Sequence, residues 1–448
     1  MKHYVLSILL GGILNIFPLT SNAQNPIIQD QYTADPSARV FGEKVYLYPS
    51  HDILANEERG RVGWFCMEDY HAFSSSDLVN WTDHGVIVSQ EKVDWVKPES
   101  YAMWAPDCIE KDGKYDFYFP APAADTIYGR GFSIGVAVSE NPEGPYIPEK
   151  QPIIGVHGID PCPFIDKDGQ AYLYWSARNI YVARLKENMT ELASEPYIIP
   201  DLPEQGLKEG PFVFERDGIY YLTYPHVQNK TERLEYAMGD SPMGPFKVTG
   251  VIMDESPTGC WTNHQSITQF RDQWYLFYHH NDYSPSFDKS RSARIDSLFF
   301  DEDGIIRKVT PTLRGVGITK ASDKIQFDRY SAKSESGSSI DFLDSLDTFK
   351  GWKLILAEQG AWVQYNAVDF SNAKFKKLEA RVISPNGSKI EVRIRNNNGP
   401  ILAELEIPAG ENWLTLDSKL SKHHPEIEDL FIVLQDQGPL EIDWVSFH

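Results

Sequence analysis

Apolar residues along this chain recur in short alternating runs, each closed by a turn, and long helical periodicities are absent. Five runs share one form, a tight turn followed by an aromatic strand. They are Gly42 to Tyr48, Asp112 to Tyr118, Asp168 to Tyr174, Asp217 to Tyr224 and Asp272 to Tyr278. Asp-Gly between β-rich segments predicts a hairpin, because the tight turn needs positive φ. A second motif accompanies the hairpins. Ser139 to Tyr146 resembles Asp240 to Phe246, with Ser75 to Trp81 as a divergent relative, and these read as turns between outer strands. Units spaced by roughly 50 to 70 residues predict blades of about four strands. The fold expected for residues 24–317 is therefore all-β, a five-bladed β-propeller.

A polar residue stands at the start of the strand before each hairpin: Asp35, Asp107, Asp160, Glu209 and His264. In a propeller the innermost strands line the central channel, so these side chains should converge on one funnel. Four carboxylates and a histidine in one cavity must be protonated, paired or metal-bound.

After Gly317 the texture changes. Residues 318–323 read as a short linker and 331–339 as a Ser-rich loop. From 322 to 448 alternating strands, such as Lys389 to Arg395 and Pro439 to Phe447, predict a β-sandwich. At the other end, residues 1–23 read as a secretory signal peptide. Lys2 and His3 precede a mostly apolar stretch, and Ser21-Asn22-Ala23 makes a small-residue cleavage site. Export to the periplasm or the cell exterior follows, and no later segment predicts a membrane span.

Composition narrows the ligand. A formal charge of −22 over 448 residues argues against nucleic acid or any polyphosphate partner. Aromatics at 13% beside many carboxylates suit a neutral, hydroxyl-covered ligand such as a sugar. The four cysteines match no zinc spacing and are expected as buried free thiols.

The segments Ala34-Asp35-Pro36, Trp104-Ala105-Pro106-Asp107, Ile159-Asp160-Pro161, Glu209-Gly210-Pro211 and Asn263-His264-Gln265-Ser266 occur in that order, in register with the hairpins. Together they resemble family 43 of the glycoside hydrolases, which are five-bladed propellers. The resemblance implies an inverting exo-glycosidase that requires no cofactor. It would release a terminal pentose from an arabinose- or xylose-containing glycan, α-L-arabinofuranose first and β-D-xylose second. A sugar-binding propeller without activity is the rival, and it would have lost a carboxylate.

The implied roles are general base for Asp35, general acid for Glu209, and pKa tuning and orientation for Asp160. An ionised Asp160 would raise the pKa of Glu209. His264 matches a position beside a calcium or a water cluster, with a satisfied core histidine as the equal alternative. Arg291 would sit at the sugar-binding end, with Arg294 as the alternative, and Trp104 would wall the terminal subsite. Asp107 carries no implied duty and reads as turn chemistry. The segment 53–70, with Trp64 and Phe65, is expected to wall one end of the funnel, and His51-Asp52 to reach its rim.

Lys324 to Tyr330, Gly360 to Tyr365, Val368 to Phe370 and Glu441 to Phe447 resemble a family 6 carbohydrate-binding module. Trp362 and Trp413 stand where that family's two sugar-sandwiching aromatics should be. The loop expected to supply an Asn holds Gln435-Asp436-Gln437 instead.

Overall fold

A computed structural model describes residues 24–371, 374–421 and 426–448; the signal peptide read in residues 1–23 lies outside them. The Asp-Gly turns take the conformation that their composition predicts. Asp112 and Gly113 have φ of +53° and +78°, and Asp217 and Gly218 of +53° and +85°. Each such hairpin joins the first two strands of an antiparallel sheet. Four sheets have four strands, within residues 32–89, 107–148, 159–198 and 212–253, and a fifth has three, within 266–298. Their first strands are Tyr32–Phe41, Asp107–Lys111, Ile159–Ile165, Phe212–Arg216 and Ser266–Phe270. Each packs on the next, and the fifth packs on the first, so the ring closes as five blades.

Residues 25–33 cover the outer edge of the three-stranded blade. Ile27 N donates to Ala293 O at 2.9 Å and Thr33 N to Arg291 O at 2.9 Å. The Asn25 side-chain amide imitates a strand residue, accepting from Ile295 N at 2.8 Å and donating to Ile295 O at 3.0 Å. An unpaired strand edge is thereby removed.

The aromatic repeat has a packing cause. In four hairpins a fully buried tyrosine of the second strand sends its hydroxyl into the following blade. Tyr48 donates to Pro142 O at 2.6 Å, Tyr118 to Met189 O at 2.7 Å, Tyr221 to Gly304 O at 2.7 Å, and Tyr174 to Pro242 O. The ring fills the gap between blades while its one polar atom is satisfied. Two of the acceptors, Pro142 and Pro242, belong to the second repeated motif, so the two motifs recur together because they touch.

The remainder is a β-sandwich. One sheet orders Thr319–Lys320, Trp362–Asp369, Ile427–Leu434, Ser388–Ile394 and Ile401–Ile407; the other orders Ser338–Phe342, Trp352–Leu356, Leu440–Phe447, Lys377–Ile383 and Leu414–Lys419. Alternate residues such as Val363, Tyr365, Leu378 and Ala380 are buried between them. Residues 318–323 are no free linker, because Thr319 and Lys320 already pair in parallel with Val368 and Asp369. The Ser-rich stretch 331–339 likewise begins and ends in strand. Among the described residues no helix is long and apolar enough to cross a membrane. Cys66, Cys108, Cys162 and Cys260 are buried free thiols, as expected.

Arg329 joins the two domains. It is buried against Asp328 at 3.2 Å and donates to Asn25 O and, at 3.1 Å, to the Tyr283 hydroxyl. Its guanidinium lies 4.2 Å from the Trp352 ring, which stacks on Tyr283 at 5.0 Å. Replacing it by Met strands a buried carboxylate and should cost about 3 kcal/mol. Calorimetry should show one melting transition for wild type and two for this variant; an unchanged melt would contradict this role.

Candidate active site

Asp35 and Asp160 reach the channel by the same backbone device. Ala34 pairs with Ser50 and Ser37 with Tyr48, so Asp35 and Pro36 oppose a single residue. Ile159 pairs with Ser176 and Cys162 with Tyr174, so Asp160 and Pro161 do the same. In the fourth blade Lys208 bridges His226 and Phe212 pairs with Thr223, leaving three residues opposite two. Each is a β-bulge that re-aims a side chain. The extra residue takes a left-handed φ: +46° at Asp35, +57° at Asp160 and +51° at Gly210. Asp tolerates this region better than most residues, and at Gly210 no Cβ opposes it. A proline follows in all three cases.

Asp107 has the proline before it and pairs regularly with Tyr118. The turn chemistry expected of it is not found; Asp107 is half of a buried ion pair. Arg39 Nε donates to it at 2.9 Å, with Ser37 Oγ as a further donor.

Arg291 organises the base side. Its Nη1 donates to Asp35 Oδ1 at 2.9 Å; its Nε, Nη2 and backbone N donate to Asp52 at 2.9, 2.8 and 2.9 Å. Ser50 Oγ donates to Asp35 Oδ2 at 2.7 Å. Burial would raise the Asp35 pKa, but Arg291, His279, His264 and Ser50 outweigh it and bring it from 3.8 to about 2. Asp52, more burdened by burial, is shifted upward. His279 was not foreseen. Buried and beside Arg291, it titrates near 3 and is neutral, accepting from Asp35 N at Nδ1, 3.0 Å away. Its proton is therefore on Nε2, 3.1 Å from Thr262 O. Strand alternation turns Asp52 inward and His51 the other way, off the rim position expected for it. Arg294 is also elsewhere, buried beside His280 and Asp282.

Glu209 behaves oppositely. Its pKa is raised, by burial first and then by the charge of Asp35. The expected cause, an ionised Asp160, is not what operates: burial pushes Asp160 itself upward, and Glu209 adds to that rise. Asp160 Oδ2 instead accepts from Gly210 N at 2.9 Å, fixing the peptide next to Glu209. Gln265 Nε2 holds Gly210 O at 2.9 Å from the other side. Glu232, also missed, is buried, with its Oε2 accepting from Asn263 N at 2.6 Å, and burial and then the charge of Glu209 push its pKa well above the ordinary value. It lies on the third strand of its blade, outside the repeated position that exposed the others.

Asp35, Asp160, Glu209 and Arg291 line a pocket of about 120 Å³ walled by Trp64, Phe65, Trp104 and Trp261. Trp104 and the segment 53–70 thus stand where expected; Trp261 was not singled out. His264 lines the pocket 3.8 Å from Asp35, beyond hydrogen-bond range. Calcium takes six to eight oxygen ligands. Here the Asp35 carboxyl is taken by Ser50 and Arg291. These residues do not build a calcium cage, and His264 is not assigned as a metal ligand. Elsewhere, among the described residues, His51, Asp69 and His71 bring potential ligating atoms within 4.8 Å of one another. Each imidazole there already has a carboxylate, His51 with Asp69 at 2.7 Å and His71 with Asp83 at 3.0 Å.

In the sandwich, Trp362 and Trp413 are not brought together. Trp362 stands on the outward side of its sheet against Phe431, and Trp413 under Arg381 on the other sheet. The two-aromatic clamp expected from the resemblance is not formed.

Because the folded Asp35 titrates below its unfolded value, its ionisation stabilises the fold above pH 3.8, and that contribution is lost as pH falls through about 2. Arg291→Met should leave burial in control. The Asp35 carboxyl, followed by carbon NMR, should then titrate above 3.8. A value that stays near 2 would exclude Arg291 as the cause.

Comparison with known proteins agrees with this geometry. Residues 23–306 match the profile Glycosyl hydrolases family 43, and 328–448 match Carbohydrate binding module (family 6). A Xylosidase/arabinosidase 43A of Humicola insolens is 38% identical over 330 residues, 63% of this chain and 98% of the relative. A solved beta-xylosidase/alpha-arabinofuranosidase from a compost microbial metagenome, complexed with xylotriose in calcium-free form, superposes with TM-score 0.58 at 33% identity. It covers 64% of this chain and 98% of its own. An arabinoxylan arabinofuranohydrolase of Bacillus subtilis, at 23% identity and TM-score 0.54, shares the fold over 95% of this chain and 99% of its own. Five blades, three bulged carboxylate turns and these matches lead to one conclusion: the chain is a glycoside hydrolase that belongs to family 43.

Proposed function

We propose that the enzyme is an inverting, exo-acting pentosidase that removes terminal β-D-xylosyl and α-L-arabinofuranosyl units from xylose- and arabinose-containing glycans. The observation that carries this reading is the opposite shift of two carboxyls facing one small pocket, Asp35 downward and Glu209 upward. Hydrolysis with inversion needs one carboxylate to activate water and one carboxylic acid to protonate the leaving oxygen. Asp35, ionised, takes a proton from the water that attacks the anomeric carbon. Glu209, protonated, gives its proton to the departing glycosidic oxygen. Asp160 keeps the Gly210 turn in place, so that Glu209 is presented at one angle. No cofactor enters these steps.

A pocket of this size, closed by aromatic walls, favours one terminal sugar over an open polysaccharide groove. Aromatic faces suit the apolar C–H patches of a sugar ring, and the carboxylates and Arg291 suit its hydroxyls. For the sugar itself, the activities by which the similar proteins are known favour xylose at least as strongly as arabinose. The segment 1–23 would carry the enzyme out of the cytoplasm, to where such glycans are met.

Aryl β-D-xyloside and aryl α-L-arabinofuranoside, digested side by side under proton NMR, test this. Wild type should hydrolyse both and release the inverted anomer first, and Asp35→Asn should lower kcat by roughly 10² to 10⁴. Release of the retained anomer would overturn inversion, and an unaffected Asp35→Asn would remove Asp35 as the base.

A further inference from the structure

Two histidines and two aspartates of the first blade share one face, and none of them takes part in the chemistry above. On the strand Asp69–Ser75, Tyr70 and Ala72 point into the core, which leaves Asp69 and His71 together on the other side. Ser50 pairs with Tyr70, so His51, near the end of Lys44–Asp52, comes opposite Asp69. Asp83, on Thr82–Ser89, pairs with Phe73, one step along the same face from His71. Potential ligating atoms of His51, Asp69 and His71 all lie within 4.8 Å of one another. Ligands about 2.1 Å from a zinc ion stand about 3.4 Å apart in a tetrahedron, so small side-chain rotations close the set. The two imidazoles meet edge to face, with centroids 5.0 Å apart and planes at 70°, which leaves each free to turn a nitrogen to a common point.

The surroundings suit such an ion. His71 Nδ1 lies 3.0 Å from both oxygens of Asp83, and Gln31 Nε2 and Gly85 N also donate to that carboxylate, at 3.2 and 2.7 Å. A carboxylate at Nδ1 keeps the ring proton there and leaves the lone pair on Nε2, the arrangement that orients metal-binding histidines. His51 Nδ1 stands in the same relation to Asp69 Oδ1 at 2.7 Å, and the second oxygen of Asp69 remains. Asp30 adds a further negative charge beside His71. The His51, Asp69 and His71 side chains are 19, 13 and 15% exposed, sheltered by the sheet yet open to an ion from solvent.

We propose that His51, Asp69 and His71 bind a divalent transition-metal ion of the zinc class, with Asp83 orienting His71 and water completing the coordination. Two imidazoles select this class over calcium or magnesium, which take oxygen ligands. The site is separate from the pocket, but His51 stands between Ser50 and Asp52, whose side chains bond to Asp35 and Arg291. An ion here ties the strand carrying both to its neighbour and stabilises the fold by binding it.

Protein dialysed against EDTA, titrated with zinc chloride by calorimetry and with cobalt chloride by visible absorption, tests this. His51→Phe and His71→Phe keep a ring and lose its nitrogens; melting curves in EDTA show which variants are folded. Wild type should take up one ion per chain more than either folded Phe variant, with cobalt absorption bands that the variants lack and a melting temperature that zinc raises. Asp83→Asn should weaken zinc binding about 10- to 100-fold. Activity on aryl pentosides in EDTA should be the same in His71→Phe as in wild type. A wild type that takes up no ion, folded Phe variants that bind zinc as wild type does, or displacement of the zinc by millimolar calcium would overturn the proposal.

Discussion

One guanidinium sits where the ring closes. Arg291, at the edge of the fifth blade, makes three hydrogen bonds to Asp52 and one to Asp35, both on the first blade. The same contacts latch the last blade to the first and fix the charge of the proposed base. Removing one partner of such a buried set leaves an uncompensated charge, at a cost of about 3 to 5 kcal/mol. Stability and chemistry therefore rest on the same atoms. Asp35 gains its low pKa from a pairing that the propeller needs in any case.

Everything else in the pocket follows from burial without such a partner. Asp160, Glu209 and Glu232 are enclosed in the same low-dielectric space, and no cation is close enough to reverse the upward shift that follows. The site thus divides into a side whose carboxyl Arg291 holds low and a side whose carboxyls burial pushes up. Tuning two carboxyls apart in this way lets acid and base coexist near neutral pH.

Much of this was legible in the chain. The order of residues in Asp35-Pro36, Asp160-Pro161 and Glu209-Gly210-Pro211 encodes bulges, whereas Pro106-Asp107 encodes none, and the carboxylates divide along that line. The difference lies in local backbone chemistry, so sequence could carry it. Glu232 and His279 were illegible as site residues because they stand on other strands, outside the repeated position, and Asp52 was expected only at the rim. Only the three-dimensional ring brings them to the pocket. Arg39 as the partner of Asp107 was hidden for the same reason. In the sandwich Trp362 lies on one sheet and Trp413 just before the strand Leu414–Lys419 of the other, which a motif match along the chain does not encode. The supposed linker failed similarly, since its two-residue strand depends on pairing with Val368 and Asp369.

The claim at the centre of this account is that the environment drives Asp35 and Glu209 in opposite directions. The most direct measurement is the pH dependence of kcat/KM for the wild-type enzyme on its better aryl pentoside, at constant ionic strength. The account predicts a broad plateau, with an acid limb well below 3.8 and an alkaline limb above 4.5, the ordinary values of the two groups. A narrow optimum with both limbs at those ordinary values would contradict it, because the pocket would then leave its two carboxyls as water does.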